Sequence, residues 1–446
     1  MRILTVIPEW NSSIHEQFIR YAIEDKYSIY SAKGLYQRTL QTWLLALIYF
    51  PMMFSYLCFK NYKHLSIRHV NIGKPIIQEV IRNSKRAKFY HASNFILICK
   101  VYIKAIAIYC NFRKLKTKHP NLKVIGGDSA YVTFSVISQM VHDSIYIVAQ
   151  DLVSISKFDK KTLSASGAHR WLNPLDYGCT SDGLTPLLKE DFQKPKIYMK
   201  RKHRKIYQGN YLPRCIYIYM HDFFDSPGVY GDTVFTDHVE WVDELIKLCN
   251  KYALPVKIKR HPNERKESIF VAKQFDNRCE HIHGDLDFEK VVHSNGVICT
   301  VYGTISNEAY LNYVNVIACG NGPFNGLPNV KVAHDKLHLE LIISKLASTN
   351  FIQKNYSIRK KQNREECYTI LGPSKFNYGF NLPYNDCWET HWRSFMTGDY
   401  PNDTFIRRKR LKNMNRLELQ KFEEFLSQSY EFQHFKKFIL KILNDI

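Results

Sequence analysis

Glycine is scarce, 19 of 446 residues. That argues against a collagen-like chain, long flexible linkers and a fold built from many tight hairpins. The 11 cysteines are odd in number and scattered, and none forms a C-x-x-C pair. A zinc ribbon is thereby excluded and a disulfide framework disfavoured, so reduced thiols in a cytosolic protein are the simpler reading. Neither G-x-x-x-x-G-K-[ST], nor G-x-G-x-x-G, nor G-x-S-x-G occurs. Support is withdrawn from P-loop hydrolysis, ordinary dinucleotide redox chemistry and α/β-hydrolase chemistry. There is no repeat of fixed period and no low-complexity tract. The apolar start, Met1 to Ile7, is cut by Pro8-Glu9 too early for a secretory signal and reads as a buried first strand.

Acidic residues are also outnumbered, 41 against 63 Lys and Arg, a formal charge of +22. Such an excess predicts an anionic partner: nucleic acid, anionic lipid, or a phosphorylated or acidic substrate. The basic residues are dispersed and no RNA-binding or helix-turn-helix signature stands out, so no nucleic-acid partner is expected. Hydrophobic residues make up 45% of the chain, enough to bury real cores, and the length suits two or three domains.

From Thr42 to Phe59 there is no charge at all. The segment reads as a buried or groove-lining helix, a helix dipped into a membrane surface, or a true span. Pro51 in its middle and aromatics spread along its length speak against the span. The surrounding Lys33, Arg38, Lys60, Lys63 and Arg68 suit the membrane surface.

The order of elements predicts an α/β protein of two doubly wound, Rossmann-like units facing a cleft, followed by C-terminal helices. In a first domain, 1–205, His69–Arg82 is a turn feeding a helix, and 123–125, 131–141 and 144–149 read as strand, helix, strand. The polar, basic stretch at about 185–210 is the expected boundary. A second domain, 206–350, opens with strand 214–220. Helix 236–252 follows, with Asp237 and Glu240 early for the helix dipole, then strands 256–259, 296–301 and 314–319. The remaining 351–446 is expected to be helical and to pack back on the first domain.

Chemistry is expected where these strands end. Lys259-Arg260-His261-Pro262 puts cationic and hydrogen-bonding groups at a sheet's carboxyl edge, where His261 can donate to a phosphate oxygen. The bland reading is an exposed histidine in a basic loop. In Tyr302–Glu308, Thr304 and Ser306 stand where hydroxyls cap a helix, next to unpaired first-turn N–H groups, and Glu308 can accept from ribose hydroxyls. A cap without a ligand is the alternative. Two such elements on neighbouring strands point to a nucleotide or sugar-nucleotide site. His221-Asp222, opening a loop that runs to Pro227-Gly228, offers a general base or a donor-orienting group, or else ordinary turn chemistry. Asp128, behind Gly126-Gly127, is either a cleft-facing acid or an N-cap. No spacing matches a metal site.

These segments resemble the donor half of GT-B glycosyltransferases that build bacterial surface polysaccharides. The quoted motifs are Lys-Arg-His-Pro-Asn-Glu, Thr-x-x-Gly-Thr-x-Ser-x-Glu-Ala and Gly-x-Gly-Pro-Phe, between about 215 and 325. The relatives in question are capsule-type β-Kdo transferases, His-Pro-motif sialyltransferases and poly(glycerol phosphate) transferases, which use CMP- or CDP-activated donors. The resemblance implies that His261, Pro262, Thr304, Ser306 and Glu308 hold the nucleotide's phosphate and sugar; Lys259 and Arg260 as further donor contacts, and Asp128, His221 and Asp222 as catalytic candidates, come from the reading of the residues themselves. It implies a nucleotide-sugar, CMP-Kdo for example, as substrate and no further cofactor. It also implies a lipid-linked acceptor and a cytoplasmic enzyme peripheral to the inner membrane face. After Gly-Pro-Phe the chain runs Asn325-Gly326-Leu327-Pro328, where such transferases carry an aromatic, Gly-rich loop. A non-catalytic polysaccharide- or lipid-carrier-binding protein of the same fold is the competing expectation.

Overall fold

The computed structural model describes residues 2–6, 28–126, 131–141, 144–149, 152–159, 164–166, 382–383 and most of 215–348. Within that last range 226, 229–230, 232, 262–263, 283–290, 292–295, 304, 307–308, 310–313, 323–324 and 326–328 lie outside the described residues. So do the expected boundary at 185–210 and nearly all of 351–446.

The first unit opens with strands β1 (Arg2–Val6) and β2 (Ser28–Ser31), which pair in parallel. Helix α1 (Leu40–Cys58) covers the uncharged segment and continues through Pro51. A reciprocal bond between Thr39 and Thr42 starts it: each backbone N–H donates to the other's hydroxyl, at 3.2 and 3.3 Å. Only Thr42, Ala46 and Met53 of this helix are buried, so the reading of a buried helix is corrected: its outer face is bare.

A short hairpin, β3 (Ser66–Ile67) and β4 (Val70–Asn71), leads into α2 (Gly73–Asn83), as the 69–82 pattern indicates. Asn71 accepts from Lys74 N–H at 3.0 Å and so caps the first turn. Ile76, Ile77, Val80 and Ile81 form the buried stripe. Gly73 is required here, because a Cβ would lie 1.9 Å from the Tyr62 carbonyl oxygen.

Helix α3 (Phe95–Lys118) has no counterpart in the sequence reading. Charges at 100, 104 and 113–118 interrupt its apolar runs, while residues 105–110 are buried on every side and show no single stripe. Strand β5 (Lys123–Gly126), α4 (Val132–Met140) and β6 (Ser144–Ala149) follow as expected. Then β7 (Leu152–Asp159) and β8 (Ser164–Ser166) turn antiparallel. The sheet β2-β1-β5-β6 is therefore parallel as expected, and the antiparallel continuation is an addition to it.

The second unit is a fully parallel sheet of β9 (Ile216–Tyr219), β10 (Val256–Lys259), β11 (Glu280–Ile282), β12 (Val297–Thr300), β13 (Asn315–Ala318) and β14 (Val330–Val332). Its spatial order is β11-β10-β9-β12-β13-β14, which numbered along the chain is 3-2-1-4-5-6, the doubly wound order. Ile216 and Ile218 join the core on one face while Tyr217 joins the core on the other, as strands covered on both faces must. Helices α5 (His238–Lys251), α6 (Lys266–Ala272) and α7 (Lys336–Ser348) complete the unit. Asp237 is not in the first turn of α5 but is its N-cap, accepting from Glu240 N–H at 2.8 Å. Beyond this unit, β15 (Leu382–Pro383) returns to pair antiparallel with β7 of the first sheet, a strand in a segment read as helical.

The strand order corrects one expectation. β10 and β12, which carry the two phosphate-capable loops, are not neighbours: β9 runs between them. Because all three are parallel, their tips still share the sheet's carboxyl edge, with β10 and β12 about 10 Å apart.

Candidate functional site at the carboxyl edge of the second sheet

In a doubly wound sheet the order of strands reverses beside the first one, and neighbouring loops there part in opposite directions to open a crevice. Here that point lies between β9 and β12. The β9 tip carries His221 and Asp222; the β12 tip runs through Val301, Tyr302 and Gly303 to Ser306.

His221 is half-buried, with the Tyr302 ring 4.2 Å away on centroids and the His238 ring stacked at 5.4 Å. Its Nε2 lies 3.3 Å from the Thr300 hydroxyl, which already accepts from Gly303 N–H at 3.2 Å. The hydroxyl has a proton to give and a second lone pair to accept with, so it can partner Nε2 in either neutral tautomer of the ring. Close packing pushes the His221 pKa well below the ordinary histidine value, and the neighbouring His238 and His261 push it further. The result is a neutral imidazole with one N–H to donate. A Cβ on Gly303 would lie 2.8 Å from that Thr300 hydroxyl, which explains the glycine.

Asp222 is buried and its oxygens are occupied. Oδ1 accepts from Phe224 N–H at 2.9 Å and Ser268 Oγ at 2.6 Å; Oδ2 accepts from Arg265 N–H at 3.1 Å and faces its Nε at 3.3 Å. Burial raises its pKa, but the bonds from Ser268, Phe224 and Arg265 outweigh that and hold the carboxyl below its usual range. Asp222 ties the loop after β9 to the start of α6.

On β10, Lys259 is buried and its ammonium donates to the Arg260 carbonyl at 2.9 Å. Arg260 is bound to Glu264 through Nε at 2.6 Å and through Nη2. Half-buried His261 stands at the tip, near enough to lower His221 and to ease the charge of Asp225. Ser306 is buried, its N–H donating to the Gly303 carbonyl at 3.1 Å. The structure therefore gathers His221, Asp222, Lys259, Arg260, His261 and Ser306 along one edge. Pro262, Thr304, Glu308 and Asp128 lie outside the described residues. Among the described residues no group of three His, Cys, Asp or Glu could hold a metal ion.

Residues that the sequence reading did not assign also shape this edge. Arg82, in the last turn of α2, reaches from the first unit to Asp225 at 3.0 Å, and Arg265 Nη1 donates to the Arg82 carbonyl at 3.3 Å. Gln78 accepts from Gly228 N–H at 3.1 Å, and Asp237 accepts from Phe89 N–H at 2.9 Å. The carboxyl edge thus faces the first unit's α2 and the 84–91 segment. His238 is wholly buried with neither ring nitrogen hydrogen-bonded, and burial brings its pKa down to about 4. Asp237 beside it is pushed up to about 6, chiefly by burial. No sequence signal marks contacts of this kind, since each joins residues more than a hundred positions apart or depends on burial.

No protein-family model matches the chain, and no curated protein matches it. Solved structures with similar folds include KpsC of Thermosulfurimonas dismutans, a β-Kdo 2,7-transferase, at 9% identity and TM-score 0.36 over 86% of this chain and 96% of that one. The UDP-GlcNAc 2-epimerase of Methanocaldococcus jannaschii is 13% identical at TM-score 0.27, over 83% and 99%. A variant of Os79 from O. sativa, solved with UDP, is 10% identical at TM-score 0.25, over 83% and 94%. Likenesses this remote carry no argument about activity. The fold class rests on the strand order itself, an α/β protein of two units, the second with a fully parallel sheet and the first with a parallel sheet extended by antiparallel strands.

Proposed function

We propose that the protein is a glycosyltransferase that moves a sugar from a nucleotide-activated donor to an acceptor. A CMP-sugar such as CMP-Kdo is the favoured donor, and the acceptor is a lipid-linked capsule, O-antigen or lipopolysaccharide precursor at the cytoplasmic membrane face. The observation that carries this reading is the neutral imidazole of His221 at the switch point of a doubly wound sheet, flanked by the His261 loop and the turn before Ser306. A neutral ring binds a phosphate or sugar oxygen without introducing a second charge to desolvate. Lys259 adds positive charge on one side, beside the His261 ring at the tip of β10. Asp225, half-buried and paired with Arg82 from the first unit, is lifted above the usual carboxyl range by burial and by Asp222.

One observation favours the competing reading, a polysaccharide- or lipid-carrier-binding protein without turnover. Asp222 and Arg260, one of the catalytic candidates and one of the two expected phosphate-binding cations, are both occupied within the chain. The test is incubation with CMP-, CDP-, UDP- and GDP-sugars and lipid-linked acceptors, reading nucleotide release and thermal shift. Consumption of a donor, with His261→Ala impairing donor use far more than melting temperature, is the expected result. No donor consumed and no thermal shift ends the transfer reading, whereas full activity in His261→Ala refutes the site.

A further inference from the structure

The cations, read above as dispersed, are concentrated in one stretch of the chain once the acids are counted with them. Residues 26–127 hold 18 Lys and Arg and a single acid, Glu79, so this stretch supplies +17 of the net +22. Glu79 is itself engaged, by Lys104 at 2.8 Å and Val132 N–H at 3.2 Å. This stretch, which contains α1, α2 and α3, is thus almost wholly of one sign, and it also carries the bare face of α1.

α1 is apolar all round. A helix of that kind is normally covered on all sides. Thr42, Ala46 and Met53 lie on the side facing α3, where Tyr102 Oη donates to the Ala46 carbonyl at 2.9 Å. On the side away from α3 Leu44, Leu47 and Ile48 are exposed, Leu47 by 68% and Ile48 by 70%, and Phe54 is exposed on the flank. Phe54 stacks edge-on against Phe95 at 6.5 Å, and Ile96 beside it is 68% exposed, so the start of α3 extends the ridge. Exposed cations frame it: Arg38 precedes α1, Lys60 and Lys63 follow it, and Lys100 stands one turn beyond Ile96 on α3.

We infer that this ridge is a membrane-docking surface, with α1 lying in the plane of an anionic bilayer. Its outer side chains enter the acyl boundary while the flanking cations meet acidic headgroups. A nucleic acid would match the charge but leave the leucine and phenylalanine face unsatisfied. Both α1 and the helix at 92–118 are long and apolar enough to cross a bilayer, but α1 is fastened along α3, more than half of which is buried in the first core, and this speaks against a span. The inference rests on the first unit alone and does not depend on sugar transfer. It deepens the proposed function by supplying the face that would meet a lipid-linked acceptor.

The experiment is vesicle co-sedimentation of the full chain without donor or acceptor, on phosphatidylcholine alone and on phosphatidylcholine mixed with phosphatidylglycerol. Binding is expected on the mixed vesicles and should weaken with salt. Leu47→Gln with Ile48→Gln should lose about a hundredfold in vesicle affinity. Lys60→Gln with Lys63→Gln should lose about thirtyfold on the anionic vesicles and little on phosphatidylcholine. Leu337→Gln, at a 79% exposed site on α7, should bind as the parent does. Unchanged circular dichroism and melting temperature establish that the variants fold. No vesicle binding by the parent overturns the inference. So does a parent dimer that the Leu47→Gln/Ile48→Gln change dissociates without any effect on vesicles, which would make the face a contact between copies.

Discussion

His238→Phe isolates the energetic consequence of an imidazole sealed in the second core. The ring is wholly buried, packed against His221 at 5.4 Å and Trp241 at 6.0 Å, with both nitrogens unpaired and a pKa of about 4. Unfolded histidine titrates near 6.5, so at pH 5 the unfolded chain holds a proton that the native chain excludes. A histidine depressed in this way contributes fully above its unfolded pKa. Stability is lost as pH falls through the window from about 6.5 to about 4. At pH 5 the loss is about 1.5 pH units at about 1.36 kcal/mol each, or about 2 kcal/mol; at pH 8 it vanishes. Phenylalanine keeps the aromatic packing and has no proton to exclude. Relative to the parent, then, His238→Phe should be more stable at pH 5 than at pH 8 by about 2 kcal/mol, measured by urea unfolding. Taking the difference between the two pH values cancels the pH-independent change in packing and in the unpaired nitrogens. The same stability difference at both pH values would refute the reasoning, because it would mean that His238 is solvated or paired in the native state.

Asp237 acts in the opposite sense. Its pKa is raised to about 6, so the parent loses up to about 3 kcal/mol as pH rises from about 4 to 6, and Asp237→Asn should make stability climb more steeply with pH across that window in the same urea assay. Gly73→Ala should destabilise by at least about 3 kcal/mol in thermal or urea unfolding, since the clash is with backbone and no side chain can yield.

What the sequence disclosed and what it withheld divide along physical lines. β9, β12 and β13 were legible as short apolar runs buried on both faces and ended by turn formers, and β10, Val-Lys-Ile-Lys, from its two β-branched residues and the His-Pro turn that ends it. The edge strands β11 and β14 were not, because Glu280-His281-Ile282 and Val330-Lys331-Val332 are half open to water and lack a continuous apolar run. The histidine and hydroxyl at the carboxyl edge could be named from their loops. Their separation by β9 could not, since strand order is a property of the sheet. Nor could the occupied state of Asp222, whose partners Arg265 and Ser268 lie some forty residues away. The bare side of α1 was one of three readings, because an uncharged helix looks alike whether protein or lipid covers it.

The pairing of β15 with β7 nests one unit inside the chain of the other. The outer edge of β7 is shared by β8 at 157–159 and by β15 at 152–153, and β15 is made only after the whole parallel sheet of the second unit. During synthesis that part of the edge stands open, with unpaired N–H and C=O groups, until residue 383 has emerged. A cut between the units should therefore yield a first half prone to edge-to-edge association, so the two halves are best handled together when the gene is shortened.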